Sequence, residues 1–311
     1  MIFITHKIKE ALEITDRITI LRKGRVQGTL ITEKTTPKEL VRLMIGGEEV
    51  KPLPRREVTR KHPVLIVKDL RVRNDLGLLA VRDLSFKVYS GEIFGIAGVE
   101  GNGQTELIEA LTGLRDIESG SILLNGEEIS KKNPKELYKM GLGHIPEDKE
   151  TGLIYEFSVA ENSILGKQRD REFLNKYQLL DWKKIFKHAA GLIKRFKIVA
   201  PSVSSPARSM SGGNIQKFIV GRELSKQPEL IIAAQPTKGL DVIATYTIRN
   251  LLIKARNENK AVLLVSADLD EVMELSDRIA VMYEGKFMGI KRREELSREE
   301  IGLMMSGVIP T

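Results

Sequence analysis

The sequence predicts an α/β fold in which buried parallel strands alternate with helices. Three short and almost wholly apolar runs, Ile93–Ala97, Leu230–Ala234 and Ala261–Ser266, have the length and composition of central strands that are buried on both faces. Apolar residues recur at helical spacing over Thr105–Leu114 and Thr245–Glu258. Strands that alternate with helices in this order are expected to form a parallel sheet covered by helices.

Other segments predict an antiparallel β subdomain and a helical subdomain beside this core. Apolar and polar residues alternate in two segments, an Asn-Gly pair marks a hairpin, and a second hairpin turns at Glu284-Gly285. The strand segments are Val64–Val72, Val81–Val88, Ser121–Ile129, Ile279–Tyr283 and Lys286–Ile290. Leu153–Leu224 is expected to be mostly helical, which places the helical subdomain at about residues 150–225.

Composition narrows the class of protein. The 311 residues contain no cysteine, which excludes disulfides and thiolate metal sites. No apolar run approaches the roughly 18 residues that a membrane-spanning helix needs. The net charge of +8 fits nucleic acid, anionic lipid or nucleotide as a partner, and equally an ordinary solvated surface of mixed charge.

The chain contains an incomplete internal repeat. Residues 1–46 align without a gap with residues 262–307, at a constant offset that pairs Gly24 with Gly285. Chance similarity does not hold one register across two helices and a hairpin. Residues identical to their partners in the second copy include Glu10, Asp16, Arg17, Ile18, Gly24, Gly28, Glu39, Met44 and Gly46.

The repeat predicts the domain organisation, because its period is the size of a domain. Residues 1–47 are expected to be the C-terminal tail of a first domain and residues 64–311 a complete second domain. Residues 48–63 are rich in proline and charge and are expected to be a linker. Since Met1–Ile4 aligns with the interior of a buried strand, we expect roughly 200 residues of the first domain to precede it.

A glycine-rich turn connects the predicted strand Ile93–Ala97 to the helix that follows. Gly98, Gly101 and Gly103 allow backbone N–H groups to point inward, as a phosphate-binding P-loop requires. The start of the helix also favours an anion. Taken alone, this segment is equally compatible with a plain strand-to-helix turn.

Three residues in this turn are candidate nucleotide contacts. Asn102 lies within it, and the Thr105 hydroxyl is a candidate ligand for Mg²⁺. Gln104 stands where a P-loop has its lysine. An amide can donate a hydrogen bond to a phosphate, but it cannot neutralise the phosphate charge.

A second candidate anion site begins at Ser211, Gly212 and Gly213, where a hydroxyl and two glycine amides open a helix. With Asn214 and Gln216, the segment resembles the signature sequence of the ATP-binding cassette (ABC) family, LSGGQ, and its variant LSGGNQQK. In that family the signature contacts the γ-phosphate of an ATP that the opposite domain holds. A simple serine N-cap is the alternative, and the P-loop upstream argues against it.

Leu230–Asp241 resembles the Walker B and D-loop stretch of the same family, which ends at Asp241. Ala234 replaces the aspartate that supports Mg²⁺, and Gln235 replaces the glutamate that acts on the attacking water. Ala267 replaces the switch histidine. Together with Gln104, these departures remove a positive charge, a metal contact, a general base and a γ-phosphate contact. Hydrolysis at this P-loop is therefore expected to be close to absent.

The first copy complements these departures. His6 aligns with Ala267, so the first domain is expected to keep its switch histidine as a catalytic residue. The intact signature of this chain is then expected to complete the ATP site of the first domain. Glu147 falls at the position of the Q-loop glutamine, in a segment that resembles the second domain of importers for simple sugars and nucleosides. The segment at Ala233–Thr237 is closer to the nucleoside branch.

The resemblance implies a P-loop NTPase of the ABC type with an antiparallel β subdomain and a helical subdomain, and with ATP and Mg²⁺ as cofactors. It implies an importer subunit at the cytoplasmic face of the cell membrane. The implied partners are transmembrane permease subunits, indirectly an extracellular substrate-binding protein, and a second ABC domain, and no nucleic acid is expected.

Two alternatives stay open at this point. A soluble ABC protein acting on ribosomes or nucleic acid fits the basic charge, but not the short linker and the degenerate site. A nucleotide-binding or dimerising module without turnover is the behaviour expected of the isolated chain. His62, His144, His188 and Trp182 show no metal-ligand spacing, so each is expected to serve packing or to lie at the surface.

Overall fold

The computed structural model describes residues 1–5, 8–22, 24–45, 54–55 and 62–308. The strands are β1 (Arg17–Arg22), β2 (Arg25–Ile31), β3 (Pro63–Arg73), β4 (Leu79–Tyr89), β5 (Ile93–Ala97), β6 (Ser119–Leu124), β7 (Glu127–Glu128), β8 (Leu142–Ile145), β9 (Leu230–Ala234), β10 (Ala261–Ser266), β11 (Arg278–Tyr283) and β12 (Lys286–Arg292). The helices are α1 (Ile8–Ile14), α2 (Pro37–Ile45), α3 (Gln104–Leu111), α4 (Pro134–Lys139), α5 (Lys149–Gly152), α6 (Val159–Ser163), α7 (Trp182–Arg195), α8 (Gly212–Ser225), α9 (Val242–Asn257), α10 (Leu269–Leu275) and α11 (Arg298–Met305).

A six-stranded sheet forms the core, in the order β12-β11-β5-β10-β9-β8. Strands β8, β9, β10, β5 and β11 are parallel, and β12 adds an antiparallel edge. Every residue of β5, β9 and β10 is buried, as expected for strands covered on both faces. The α/β prediction is confirmed, and the carboxyl ends of the parallel strands meet along one edge.

The second sheet is antiparallel, in the order β4-β3-β6-β7, and confirms the predicted β subdomain. It packs on the core sheet where Phe86 of β4 stacks on Phe94 of β5 at 5.4 Å between ring centroids. The predicted hairpin turn is present, with Asn125 and Gly126 at φ of 51° and 84°. Both residues therefore adopt the left-handed conformation that a two-residue turn requires.

The helical subdomain contains less helix than the sequence predicts for Leu153–Leu224. Residues 164–181 and 196–211 are mainly turns with short 3₁₀ segments. Local hydrogen bonds explain the difference, because the Asn175 side chain accepts from the backbone N–H groups of Tyr177 and Leu179 and closes a turn that competes with helix.

A buried ion cluster on α8 fixes the helical subdomain to the core. The Arg222 guanidinium donates to the Gly152 carbonyl at 2.7 Å and pairs with Glu223, which also pairs with Lys226. Burial alone would raise the pKa of Glu223, but Arg222 and Lys226 outweigh it and hold the pKa below its usual value.

The N-terminal copy reproduces the local structure of its partner. Elements α1, β1, β2 and α2 repeat α10, β11, β12 and α11, and both hairpins carry the register shift at the same position, Ile20/Leu21 and Val281/Met282. Ile20 and Leu40 are buried, and so are their partners Val281 and Ile301. The repeat therefore extends from sequence to structure.

The segment before α1 does not repeat its partner. Ile2 and Ile4 are 92% and 91% exposed, whereas Leu263 and Val265, which align with them, are buried in β10. Strand β10 is hydrogen-bonded on both sides, by β5 and β9. No strand pairs with residues 1–5 in the described part of the chain.

Most of the predicted linker, residues 48–63, lies outside the described residues, and β3 begins at Pro63. Pro54 and Arg55 are described and lie against the second copy. The Arg55 guanidinium donates to the carbonyls of Leu275 and Ser276, and the Asn257 amide donates to the Pro54 carbonyl at 3.1 Å. Among the described residues, no helix combines the length and the apolar character that crossing a membrane requires.

Candidate functional site

The carboxyl edge of the core sheet brings together loops that are distant in sequence. The P-loop segment Gly98–Thr105 follows β5, Glu147 follows β8, Gln235 follows β9 and Ala267 follows β10. In open α/β sheets, ligands bind at this edge. The sequence-predicted residues of one nucleotide site therefore converge there, although they come from four strands.

The P-loop segment is clamped to the hairpin of β11 and β12. The Asn102 side-chain oxygen accepts from the Glu284 backbone N–H at 2.8 Å, and the Asn102 carbonyl accepts from Gly285 at 3.0 Å. Gly103 has a φ of 101°, and a Cβ there would overlap the Ala80 carbonyl oxygen. Only glycine fits at this position, because both the conformation and the space exclude a side chain.

Gln104 closes the P-loop from within. Its Nε2 donates to the Val99 carbonyl at 2.9 Å, and its Oε1 accepts from the Asn102 backbone N–H at 3.1 Å. A Cβ on Gly98 would collide with the same Nε2, so the amide fills the interior of the loop. The Asn102 N–H, which a bound phosphate would need as a donor, already donates to the Gln104 amide oxygen. That oxygen must be displaced before an anion can bind there.

The P-loop segment and the residues around it offer more donors for a phosphate than oxygen ligands for a metal ion. The glycines and the start of α3 supply N–H donors, and Thr105 is exposed in the first turn, where its hydroxyl could hold Mg²⁺. Ala234 is buried and offers no oxygen ligand. Among the described residues, no group of three or more acidic or histidine side chains is placed to hold a metal ion.

Gln235 is engaged away from the P-loop segment. Its backbone has a φ of 44°, in the left-handed region, and its N–H donates to the Val265 carbonyl at 2.8 Å. Its Oε1 accepts from the Ala267 N–H at 3.1 Å. The amide therefore joins the ends of β9 and β10, and it cannot remove a proton from water as a carboxylate does.

Glu271 is a buried acid that the sequence analysis missed. Its two oxygens accept from the Thr237 hydroxyl at 2.6 Å and the Ser266 hydroxyl at 2.8 Å. Burial raises the pKa of Glu271, and the two hydroxyls oppose that rise. The internal repeat could have pointed to this residue, because Glu271 is identical to Glu10 in the first copy. The contact is repeated as well, since Thr5 donates to Glu10 as Ser266 does to Glu271.

Lys238 is the second residue that the sequence analysis passed over. Its ammonium pairs with Glu100 of the P-loop segment at 2.8 Å and with Glu147 at 2.7 Å. The hydrogen bonds from Lys238 to Glu100 and Glu147 raise the pKa of Lys238. The Q-loop position thus carries a carboxylate tied to the P-loop segment, and a single cation bridges three loops of the site.

The signature segment lies at the start of α8. Ser211 and Gly212 are exposed, and no side chain caps the first turn of the helix. The Ser211 hydroxyl accepts from the Asn214 amide at 2.8 Å. A Cβ on Gly212 would lie 3.5 Å from the Lys149 ammonium, so a cation stands beside the N-terminus of the helix. This arrangement attracts an anion.

Gln216 of the signature and Asp241 of the D-loop stretch hold the elements around this helix. Gln216 is buried, and its amide donates to the Pro236 carbonyl at 3.0 Å, which ties α8 to the turn after β9. Asp241 caps α9 by accepting from the Ala244 N–H at 2.8 Å. None of the hydrogen bonds among the described residues joins Ser211–Gly213 to Gly98–Thr105. His6 lies outside the described residues.

The isolated histidines show no metal geometry in the described part of the chain. His62 is exposed, and His188 lies edge-on to Phe173 at 4.9 Å between ring centroids. His144 lies in β8 with a buried Nε2 that has no hydrogen-bond partner among the described residues. Burial lowers the pKa of His144 from 6.5 to about 4.

This buried histidine predicts acid sensitivity. Because the folded state keeps His144 neutral, its contribution to stability is complete above pH 6.5 and is lost as the pH falls toward 4. Between pH 7 and pH 5 the loss is expected to be about 2 kcal/mol in the free energy of unfolding. The free energy of unfolding, measured in urea at pH 7 and at pH 5, should fall less in His144→Gln than in the parent protein, by about 2 kcal/mol. An unchanged pH dependence would contradict the assignment.

Comparisons with known proteins agree with this geometry. Residues 81–238, about half of the chain, match the family described as ABC transporter. The chain is 42% identical over 308 residues to a nucleoside import ATP-binding protein, NupA, of Lactococcus lactis subsp. cremoris, covering 99% of this chain and 61% of that protein. It is 44% identical to a guanosine import ATP-binding protein, NupO, of Bacillus subtilis, covering 94% of this chain and 58% of that protein.

The chain thus spans about three fifths of the length of these two relatives. Among solved structures, a nucleotide-free ATP-binding cassette from an ABC transporter superimposes with a TM-score of 0.65, over 79% of this chain and 96% of that chain, at 24% identity. The fold predicted from the resemblance is therefore confirmed. The core sheet, the P-loop segment at its carboxyl edge and the family match together show that this chain belongs to the ABC transporter family.

Proposed function

We propose that this chain is part of the ATP-binding subunit of an ABC importer, and that it completes an ATP site whose P-loop belongs to another ABC domain. Residues 64–311 would be the second domain of that subunit and residues 1–47 the tail of the first, joined by residues 48–63. One observation carries the proposal. The Gln104 amide fills the P-loop segment of this chain, whereas the signature residues Ser211 and Gly212 are exposed at the start of α8.

The closed P-loop supports a site that binds nucleotide without turnover. Gln104 occupies the loop that a β- or γ-phosphate would enter, and it brings no positive charge. Ala234 and Gln235 supply neither a metal ligand nor a base, and Gln235 is held by Ala267. Loss of the general base alone typically costs 10²–10⁴ in rate. ATP and Mg²⁺ would therefore bind here, through the loop N–H groups and Thr105, without efficient hydrolysis.

The signature supports a productive role in the other site. Ser211 and Gly212 are exposed at the uncapped start of a 14-residue helix, with Lys149 beside them. A γ-phosphate presented by the first ABC domain would find N–H donors, a hydroxyl and a nearby cation there. We propose that His6 is the switch histidine of that first domain.

The partners follow from the same proposal. The importer would need transmembrane permease subunits, with the ATPase at the cytoplasmic face of the membrane and an extracellular binding protein delivering the substrate. The two relatives above import nucleosides and guanosine by name, so we propose a nucleoside as the transported molecule, with a simple sugar as the alternative.

The test compares ATP turnover and equilibrium ATP binding in two proteins. One is this chain, and the other joins a complete first domain to its N-terminus. Only the joined protein is expected to hydrolyse ATP, while both bind it. Comparable turnover by the chain alone would show that Gln104 and Gln235 perform chemistry that the proposal denies them. Uptake of labelled nucleoside and of labelled ribose, with the permease co-expressed, distinguishes the two substrates.

A further inference from the structure

One part of the helical subdomain carries a strong excess of positive charge. Residues 167–197 contain ten lysines and arginines and three acidic residues, a net charge of +7, whereas the whole chain carries +8. Mixed surface charge, the ordinary explanation of a basic composition, does not describe this segment. Its core is α7, a helix with four lysines and one arginine among 14 residues.

Helix α7 is amphipathic in an uncommon way. Ile185, Ala189 and Leu192 are buried against the subdomain. Trp182 and Phe186, one turn apart, are 44% and 38% exposed, with ring centroids 5.9 Å apart. Large aromatic side chains therefore lie at the surface instead of completing the buried stripe.

Lysines lie beside these rings. Lys183, Lys187 and Lys194 recur at helical spacing on the exposed side of α7, and no ion pair involves them in the described part of the chain. Lys184, on the other side, donates to the Leu174 carbonyl at 2.7 Å. The exposed ammonium groups are thus free to meet an external anion.

The turn that leads into α7 exposes two further apolar side chains. Tyr177 and Leu179 are 69% and 64% exposed, and the Asn175 side chain fixes both by accepting from their backbone N–H groups. The Lys176 ammonium lies over the Tyr177 ring at 4.9 Å from its centroid. We use the name basic aromatic face for these exposed side chains: Tyr177, Leu179, Trp182 and Phe186, with Lys176, Lys183, Lys187 and Lys194.

A groove of about 550 Å³ adjoins this face, and Lys187 belongs to both. Lys167, Lys184, Lys187 and Arg195 line it together with Glu172, so cations outnumber the acid. A phosphate-bearing group that approached the face would therefore meet cations on both sides of the helix. The surface is complementary to a layer of anions, not to a single anion.

We propose that the basic aromatic face lies on an anionic phospholipid surface. A basic amphipathic helix with tryptophan and phenylalanine at its margin is typical of peptides that lie in the headgroup region. Tryptophan and tyrosine favour that depth because they combine an apolar ring with a polar atom, and lysine stems extend along it to keep the ammonium in water. Leu179 gains from contact with acyl chains and gains nothing from stacking on a nucleic-acid base.

This inference is independent of the nucleotide chemistry proposed above. A peripheral subunit of a membrane transporter works within reach of lipid headgroups, but the vesicle experiment below does not measure ATP. Failure of one proposal therefore leaves the other standing.

Trp182 provides the measurement, because it is the only tryptophan in the chain. Its fluorescence is recorded with vesicles of phosphatidylcholine alone and of phosphatidylcholine with phosphatidylglycerol, and flotation measures the bound fraction. We expect a blue shift and co-flotation only with the anionic vesicles, and release in high salt, which screens the charges.

Charge reversal tests the residues. Lys183→Glu with Lys187→Glu should lower the partition coefficient by about tenfold or more, since each surface lysine contributes to attraction by anionic lipid. The matched control is Lys135→Glu with Lys139→Glu, an exposed pair one turn apart on α4, which should bind as the parent does. Thermal unfolding checks that both variants fold.

Three outcomes would overturn the proposal. Equal binding to neutral and anionic vesicles would assign any interaction to exposed apolar residues such as Ile2 and Ile4. Equal losses in the two charge-reversed variants would show an unspecific effect of net charge. Binding of an RNA homopolymer that Lys183→Glu and Lys187→Glu abolish, without binding to vesicles, would assign the face to nucleic acid.

Discussion

Gly213→Asp is expected to lower ATP turnover at least about 100-fold when this chain is joined to a complete first domain. The new carboxylate would stand at the N-terminus of α8, where the proposed site accepts a γ-phosphate, and would repel it. A Cβ on Gly213 would also lie 3.0 Å from the Ala244 Cβ and 3.4 Å from an Asp241 oxygen. Steady-state phosphate release measures the effect.

The controls separate this effect from that of a negative charge added elsewhere and from any turnover at the P-loop of this chain. Gly191→Asp on α7 introduces the same charge where a Cβ meets no atom within 4 Å, and it should leave turnover unchanged. Gln104→Ala should also leave turnover unchanged, because its P-loop is proposed to be inactive. A loss with Gln104→Ala and none with Gly213→Asp would reverse the roles assigned to the two sites.

Gly120→Ala is expected to have the largest effect on stability, about 3 kcal/mol or more. Gly120 has a φ of 99°, and a Cβ there would lie 2.6 Å from the carbonyl oxygens of Lys68 and Asp69 and 2.7 Å from the Leu70 Cα. These atoms belong to the backbone of β3, which cannot move without disrupting its pairing with β6. Thermal unfolding should show a loss of roughly 6–12 °C.

Gly126→Ala isolates the conformational part of this cost. Gly126 also has a positive φ, 84°, but a Cβ there meets nothing within 4 Å. The expected cost is only about 1 kcal/mol, the ordinary penalty of a left-handed conformation. Equal destabilisation by the two substitutions would show that the steric contacts of Gly120 relax at little cost.

Much of the candidate site could be predicted from sequence because its chemistry depends on residue type. A glutamine in the P-loop has no positive charge, and an alanine at 234 has no oxygen, in any fold. What Gln104 does in place of a lysine could not be predicted. Its bonds to Val99 and Asn102 depend on the path of the loop and on the hairpin that clamps Asn102.

Lys238 and Glu271 were missed for a related reason. Lys238 stands 91 residues from Glu147 and 138 from Glu100, and the carboxyl edge of the sheet brings the three together. Local patterns report on neighbours within a few residues, whereas an ion pair between loops depends on which strands are adjacent. The helix content of the helical subdomain was overestimated. Turns closed by side-chain hydrogen bonds, such as those that Asn175 accepts, leave no trace in the apolar pattern of the sequence.

The sequence by itself determined the α/β class, the repeat and the family, since all three depend on periodicity and on residue types at fixed spacing. The tertiary structure decided burial. Ile2 and Ile4 match Leu263 and Val265 in register and apolar character, yet one pair is exposed and the other buried. The physical reason is that a strand acquires its hydrogen bonds and its apolar contacts from adjacent strands, and β10 has them in β5 and β9.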